Sequence, residues 1–145
     1  MMHRLNIEHR TSNVERRMEK EEVEMEKAQV LKAQDAQVIE SDWGELTWFA
    51  NRELGNSDDV TVGRCVIYPG KSNPAHSHPN CSEILVVEQG TIRHALGDGT
   101  FVEMGPGDTI SVPVDCPHHA ENVGDTNAVL SIVFTNAVRK TDPVS

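Results

Sequence analysis

The chain has 145 residues, enough for one domain, and its formal net charge is −10 because 23 acidic residues outnumber 13 basic ones. This charge argues against a nucleic-acid partner, since a nucleic-acid-binding surface needs a basic patch. No apolar run reaches the length of a membrane span, and the first residues lack the hydrophobic stretch of a signal peptide. We therefore expect a cytoplasmic protein with no membrane contact. The three cysteines, an odd number, do not form a disulfide framework.

Residues 1–40 differ in composition from the rest of the chain. A capping-box pattern from Ser12 to Glu15 starts a run dense in Glu, Lys and Arg, and good helix formers continue to Gln37. The apolar positions in this run form only a thin stripe. This pattern predicts a charged extension that is a solvated helix, a partly disordered segment, or an arm that packs on a partner subunit.

From Val38 the sequence changes to short apolar and β-branched segments separated by turns that contain Gly or Pro. Many short strands at close, even spacing indicate a β-sandwich or barrel, and there is no sign of a second domain or an internal repeat. The predicted barrel occupies residues 41–140, and residues 141–145 form a tail. The predicted strands cover 46–50, 60–68, 82–88, 91–96, 100–104, 109–113, 117–122 and 128–135.

Three histidines and one glutamate lie at spacings that suit a metal site. His76 and His78 are two residues apart, so on a strand both imidazoles point to one face. Glu83 follows His78 at an odd separation and would face the other way on a continuous strand. The dipeptide Pro79–Asn80 removes this conflict, because Pro-Asn breaks a strand and a new one can begin with Glu83. His118 must come from a distant strand.

The donor set restricts the kind of ion. Three neutral imidazoles and one carboxylate suit iron, manganese, nickel, zinc or copper, whereas calcium and magnesium prefer sites made of oxygen ligands. Four protein ligands on a six-coordinate ion leave two positions for water, oxygen or a chelating substrate. Because the charge of the ion exceeds that of one carboxylate, such a site favours a small anionic ligand.

The patterns around these residues resemble the two motifs of the cupin superfamily, in its small single-domain cupin-2 type. The first motif, G-x5-H-x-H-x3,4-E-x6-G, is matched in full from Gly70 to Gly90. The second, G-x5-P-x-G-x2-H-x3-N, is matched from Gly107 to Asn122 with one departure, since Asp115 stands where the motif has glycine. Asp tolerates the left-handed turn conformation better than most residues, so we expect the turn to survive.

This resemblance covers residues 43–137 and implies an all-β fold, a single double-stranded β-helix or jelly-roll barrel of the RmlC-like type, with the metal inside. It implies one divalent transition-metal ion, such as Fe, Mn, Ni or Zn, and a homodimer, since single-barrel cupins commonly pair through their sheets. It does not fix the reaction, because cupins include dioxygenases, isomerases, decarboxylases, regulators and storage proteins. The implied metal ligands are His76, His78, Glu83 and His118.

Further roles near the site follow from strand alternation. Ile92, His94 and Leu96 share one face, and the apolar neighbours predict that His94 points into the barrel. There it is our candidate catalytic residue, as a proton shuttle or a hydrogen-bond partner of the substrate; the alternative is a histidine satisfied by the core. Arg64 and Tyr68 share another face, so one of them could reach a bound carboxylate.

The remaining candidates have mainly structural interpretations. His119 should face away from the site, and Asn122 is expected to support a turn rather than to bind the ion. Cys65 lies in an apolar strand and is expected to pack there. Cys81 and Cys116 each precede a proposed ligand by two residues, so either could touch the ligand space or act as a small buried filler.

Three functions fit this sequence. The first is a metal-dependent enzyme, such as a dioxygenase or isomerase, that acts on a small carboxylate, enol or sugar derivative. The second is a non-catalytic module that binds or senses a small molecule. The third is a barrel whose metal site is vestigial, and the intact ligand set argues against it. The sequence has no P-loop, no dinucleotide fingerprint and no nucleophile elbow, so the metal is its strongest chemical centre.

Overall fold

The computed structural model describes residues 27–144. The capping box at Ser12 and the charged run through residue 26 lie outside the described residues, together with most of the predicted helical extension. The part that is described, 27–37, is not an α-helix. It has irregular backbone and one 3-10 turn, Ala33–Asp35, before a strand that begins at Gln37. The sheet therefore starts inside the range that we assigned to the extension, because this strand pairs with the next one along the chain.

The rest of the described chain is built from short strands and turns, and the expected all-β barrel is confirmed. Most strands lie within one or two residues of their predicted bounds; the one predicted at 117–122 is shorter and begins at Ala120. Among the described residues, no helix is long and apolar enough to cross a membrane. The strands are β1 (Gln37–Glu40), β2 (Gly44–Ala50), β3 (Thr61–Ile67), β4 (His76–Ser77), β5 (Glu83–Gln89), β6 (Ile92–Ala95), β7 (Phe101–Met104), β8 (Thr109–Val112), β9 (Ala120–Asn122), β10 (Ala128–Phe134) and β11 (Asp142–Pro143).

The strands form antiparallel sheets that enclose one core. The largest sheet has six strands in the order β1-β2-β3-β10-β5-β8, a second has the order β7-β6-β9, and β11 pairs with β4. Strand β10 shows how the core is made, since every second residue from Ala128 to Phe134 is buried and the residues between them are not. This period of two places Leu130, Ile132 and Phe134 inside. Burial of each large side chain contributes about 1.5–3 kcal/mol.

Two turn positions support the expected motif geometry. Gly90 has φ of +85°, and a Cβ there would lie 3.0 Å from the Cα of Ala128, so only glycine fits without a shift. Asp115 has φ of +65°, which confirms the left-handed conformation expected at the position where the motif has glycine. Its backbone N–H donates to the carbonyl of His78 at 2.9 Å. The turn that carries Asp115 therefore contacts the first motif directly.

The C-terminal segment is part of the fold rather than a free tail. Asp142 and Pro143 pair with Ser77 and His76, respectively, and the N–H of Val144 donates to the carbonyl of Ala75 at 3.1 Å. This pairing brings residues 138–144 next to the strand that carries the first two histidines, where sequence analysis expected only a tail from residue 141.

Candidate metal centre

The structure brings together the four side chains that the motifs identified, although they come from separate parts of the chain. His76 lies in β4, His78 directly follows it, and Glu83 is the first residue of β5. The backbone bends at Pro79 and Asn80, as the strand-parity argument requires. His118 forms an isolated antiparallel bridge with His76. One ligand atom from each of these four residues, here called the His₃Glu cluster, lies within 4.8 Å of the others.

Each imidazole of the cluster is oriented by a backbone carbonyl. The Nδ1 atoms of His76, His78 and His118 lie 2.7, 2.9 and 2.9 Å from the carbonyl oxygens of Pro74, Lys140 and Cys116. A carbonyl only accepts, so Nδ1 carries the proton and donates it in every case. The Nε2 atoms are thus left to face the cluster. Metal-binding histidines in proteins are commonly held in this way.

The cluster also contains a buried polar atom without a partner. His78 Nε2 lies 3.4 Å from Glu83 Oε1, but among the described residues it has no acceptor or donor in hydrogen-bond geometry. His118 Nε2 does donate to the same oxygen, at 3.0 Å. A buried nitrogen left unsatisfied is costly unless it has a further function. Three imidazoles and a carboxylate that converge around such an atom fit a divalent transition-metal ion.

The protonation states fit a metal site as well. Burial alone would raise the pKa of the Glu83 carboxyl, but the hydrogen bond from His118 and the neighbouring imidazoles lower it to about 2. Burial lowers the pKa of His76 to about 4, so its imidazole is neutral near pH 7. The pKa of His118 is raised, because its contact with Glu83 outweighs the effect of burial. A proton on His118 would therefore compete with a metal ion for this imidazole.

A cavity of about 300 Å³ opens next to the cluster. Its volume suits a small molecule, and most of its wall is apolar. Such a wall lowers the local dielectric and strengthens the electrostatic interactions of any charged group inside. The apolar residues of the wall include Trp43, Leu46, Trp48, Leu85, Ile132 and Phe134.

His94 points into this cavity, as predicted. Its side chain is 1% exposed, and its ring stacks on His118 with 5.7 Å between ring centroids and 10° between planes. The Nδ1 atom donates to the carbonyl of Ala95 at 2.7 Å, so Nε2 carries the free lone pair. Burial lowers the pKa of His94, which keeps the imidazole neutral at pH 7. The prediction for its neighbour Leu96 is wrong, because β6 ends at Ala95 and Leu96 is exposed.

The expectation that Arg64 or Tyr68 reaches a bound carboxylate is wrong. Arg64 and Tyr68 do not reach the cavity, because the alternate residues of β3, among them Cys65 and Ile67, face inward instead. Arg64 stacks on the ring of Phe49 outside the cavity. Cys65 lines the cavity, and burial raises the pKa of its thiol to about 12, so it stays protonated.

The remaining sequence candidates take structural positions. Cys81 is buried in the core, and the thiol of Cys116 contacts backbone carbonyls, so neither belongs to the cavity wall. His119 packs edge-on against Phe101, away from the cluster. Asn122 is buried, and its side-chain amide bonds the carbonyls of Ile67 and Thr126 at 2.8 Å each. Asn122 thus supports a turn, as expected.

Sequence reasoning missed Arg139. This residue follows β10, lines the cavity, and stacks on the rings of Trp48 and Phe134. No motif covers it, and the sequence gives no periodicity at this position. Only the folding of the C-terminal segment onto β4 brings its guanidinium to the site.

Comparisons with known proteins agree with the fold. The family model described as "Cupin domain" matches residues 63–134. Germin-like protein subfamily 1 member 7 of Arabidopsis thaliana is 37% identical over 81 residues, which are 51% of this chain and 35% of that protein. The chain spans less than half the length of the curated relatives that it matches.

Two solved structures share the fold. An oxalate decarboxylase of Bacillus subtilis, studied for its Mn(II) centres, has a TM-score of 0.67 at 24% identity over 74% of this chain and 30% of its own. A polyketide cyclase of Streptomyces resistomycificus has a TM-score of 0.68 at 19% identity over 82% of this chain and 87% of its own. The fold alone therefore does not define a reaction. The match to the family model, the two sequence motifs and the β-barrel together show that the chain belongs to the cupin superfamily.

Proposed function

We propose that this cupin is a metal-dependent enzyme that acts on a small polar or anionic molecule. The observation that carries the proposal is the His₃Glu cluster. In this cluster each imidazole donates its Nδ1 proton to a backbone carbonyl and directs Nε2 inward. The cluster would hold one divalent ion such as Fe, Mn, Ni or Zn. The chain is similar in fold to an oxalate decarboxylase with Mn(II) centres, which supports manganese as one of the ions to test.

The adjoining cavity supports a reaction as well as metal binding. A bound ion would supply Lewis acidity or activate oxygen, which suits an isomerase or a dioxygenase, respectively. The neutral Nε2 of His94 can accept a proton from a molecule in the cavity. The surrounding apolar side chains limit the access of water and so keep the polar contacts of the substrate strong.

The second candidate is a module that binds or senses a small molecule without turnover. One observation favours it: among the described residues that line the cavity, His94 is the sole residue outside the cluster able to exchange a proton near neutral pH. Cys65 stays a thiol, and the other polar residues of the wall do not titrate in that range. A reaction that needs one side chain as general acid and another as general base would find only His94 in this cavity wall.

We also propose that the chain forms a homodimer through its sheets. Several large apolar side chains are exposed on the second sheet and next to it, including Leu96, Phe101 and Val102. A contact that covered them would remove apolar surface from water. Light scattering on the purified protein tests this, and the mass of a single chain would contradict it.

Metal reloading separates the two functions. Protein stripped of metal is loaded in turn with Fe, Mn, Ni and Zn and assayed with a panel of chelating acids and sugars. We expect about one ion per chain and turnover with at least one combination. His118→Ala should lose the ion, while His119→Ala, whose ring lies outside the cluster, should retain it. An ion without any turnover would support the binding module, and no bound ion would contradict the metal-dependent enzyme.

A further inference from the structure

The ring of Phe134 contacts both Arg139 and a histidine of the His₃Glu cluster. Its guanidinium carbon is 4.5 Å from the ring centroid of Trp48 and 5.2 Å from that of Phe134. The Phe134 ring in turn packs edge-on against the imidazole of His78, with 4.9 Å between centroids. The guanidinium and the metal site thus share one wall of the same cavity.

The guanidinium of Arg139 makes no salt bridge within the described part of the chain. No carboxylate of residues 27–144 lies within 4 Å of its nitrogens, and its single hydrogen bond there is the one that Nη1 donates to Thr141 Oγ1. A guanidinium has five N–H donors in a fixed fork, so most of them are left for another acceptor. The residue is half-buried, and burial lowers its pKa. A partly desolvated cation gains most from an anion.

The backbone on either side of Arg139 is held in place. The Asn80 amide donates to the carbonyl of Val138 at 2.7 Å and accepts from the N–H of Lys140 at 3.0 Å. The carbonyl of Lys140 accepts from Nδ1 of His78. Arg139 therefore belongs to the same bonded unit as a cluster histidine. Its position is fixed before any ligand arrives, which reduces the entropy lost on binding.

The charges around the cavity indicate the kind of ligand. With an ion in the cluster and the His118 imidazole neutral, Glu83 and Arg139 are the two described lining residues with a formal charge. Their charges cancel, so a divalent ion in the cluster would leave two positive charges in the cavity. A ligand with two negative charges balances them, one part at the ion and the other at the guanidinium.

We propose that Arg139 binds a carboxylate of the substrate that is separate from the oxygens at the metal, which makes the substrate a small dicarboxylic acid with a metal-chelating head. This inference rests on the proposed function, since it takes the ion to be present. Arg139 then selects the substrate, and the metal site performs the chemistry. The planar fork of the guanidinium matches the two oxygens of a carboxylate.

Two probe acids test this selection directly. Lactate and malate share the same 2-hydroxy acid head, and only malate carries a second carboxylate. Each is titrated calorimetrically into Mn(II)-loaded wild type, Arg139→Gln, Arg139→Lys and Arg64→Gln. Arg64 is the matched control, because its guanidinium also stacks on an aromatic ring, 5.3 Å from the centroid of Phe49, but lies outside the cavity.

We expect the wild type to bind malate at least about tenfold more tightly than lactate, the gain typical of a charge-assisted contact. Arg139→Gln should lose this preference while its lactate affinity and manganese content stay unchanged. Arg139→Lys should keep part of the preference, and Arg64→Gln all of it.

Several results would overturn the inference. The first is a wild type that binds neither acid or binds malate and lactate equally tightly. The second is a preference for malate that survives in Arg139→Gln. The third is an equal loss of affinity for both acids in Arg139→Gln, which would indicate a purely structural residue. If the wild type binds manganese normally, these results leave the proposed function standing. A wild type that binds no metal would overturn the proposed function as well.

Discussion

His76 and His118 are paired across the barrel although 41 residues separate them in the chain. The N–H of each donates to the carbonyl of the other, at 3.0 and 2.8 Å, and their ring centroids are 4.3 Å apart. This single backbone bridge joins the two sequence motifs. It fixes the relative position of two cluster histidines through the main chain rather than through flexible side chains, so the cluster is formed before an ion binds.

The affinity for a metal ion should rise with pH and then level off. Burial lowers the pKa of His118, but its contact with Glu83 outweighs burial and raises it, so a proton would compete with an ion up to a higher pH than on a free imidazole. His76, with a pKa of about 4, adds no competition in that range. We expect the affinity for Mn(II) to increase up to about tenfold per pH unit below the pKa of His118, and to be constant above it. Chelator competition measures this, and a constant affinity from about pH 6 to about pH 8 would argue against a proton in the cluster.

Replacement of His94 should reduce turnover more than binding. If its Nε2 accepts a proton from the substrate, His94→Gln should lower kcat by about 10²- to 10⁴-fold and change the substrate Kd little. The assay uses the substrate found by metal reloading. His119→Gln is the control, since this ring packs on Phe101 away from the cluster. A His94→Gln enzyme with normal kcat would show that His94 is a core residue only.

Asn80→Ala should weaken metal binding although Asn80 is outside the cluster. Its side chain holds the backbone of Val138 and Lys140, and the Lys140 carbonyl orients His78. We expect a loss of up to about tenfold in Mn(II) affinity, at the low end of what outer-shell changes cost. Asn56→Ala is a matched control, because Asn56 also makes two hydrogen bonds within a turn distant in sequence from the metal motifs. Equal metal affinities in the two variants would refute the link.

Substitutions at Asp115 should follow its backbone conformation. With φ of +65°, a β-branched residue is strained there, so Asp115→Val should lower the free energy of unfolding by about 1–2 kcal/mol. Asp115→Gly should be within about 1 kcal/mol of the wild type, because glycine relieves strain but gains entropy in the unfolded chain. Urea unfolding of both variants gives the comparison. A valine variant as stable as the glycine variant would contradict the strain argument.

The cluster could be predicted from the sequence because its spacing encodes its geometry. The pair of His76 and His78 specifies one strand face, and the break at Pro79 restores the parity of Glu83. The turn at Gly90 is a local feature and was predicted for the same reason. His118 and the turn at Asp115 were assigned by the resemblance to the second cupin motif, whereas the other inferences need only the alternation of a strand and the backbone preferences of single residues.

The cavity wall needed long-range packing and was only partly predicted. Alternation placed Arg64 in β3 and Tyr68 just after it on one face, but apolar residues occur on both faces of this strand. The pattern therefore did not tell which face is inside. Arg139 reaches the cavity because the segment after β10 folds back beside β4. That contact joins residues about sixty positions apart and leaves no local signal in the sequence.

The central claim is that the His₃Glu cluster binds a transition-metal ion. X-ray diffraction from crystals of gently purified protein, recorded on both sides of the absorption edges of Mn, Fe, Ni and Zn, tests it most directly. We predict one anomalous peak about 2.0–2.3 Å from Nε2 of His76, His78 and His118 and from a carboxylate oxygen of Glu83. A crystal that shows no peak there after metal reloading, or a peak held by other residues, would contradict the claim.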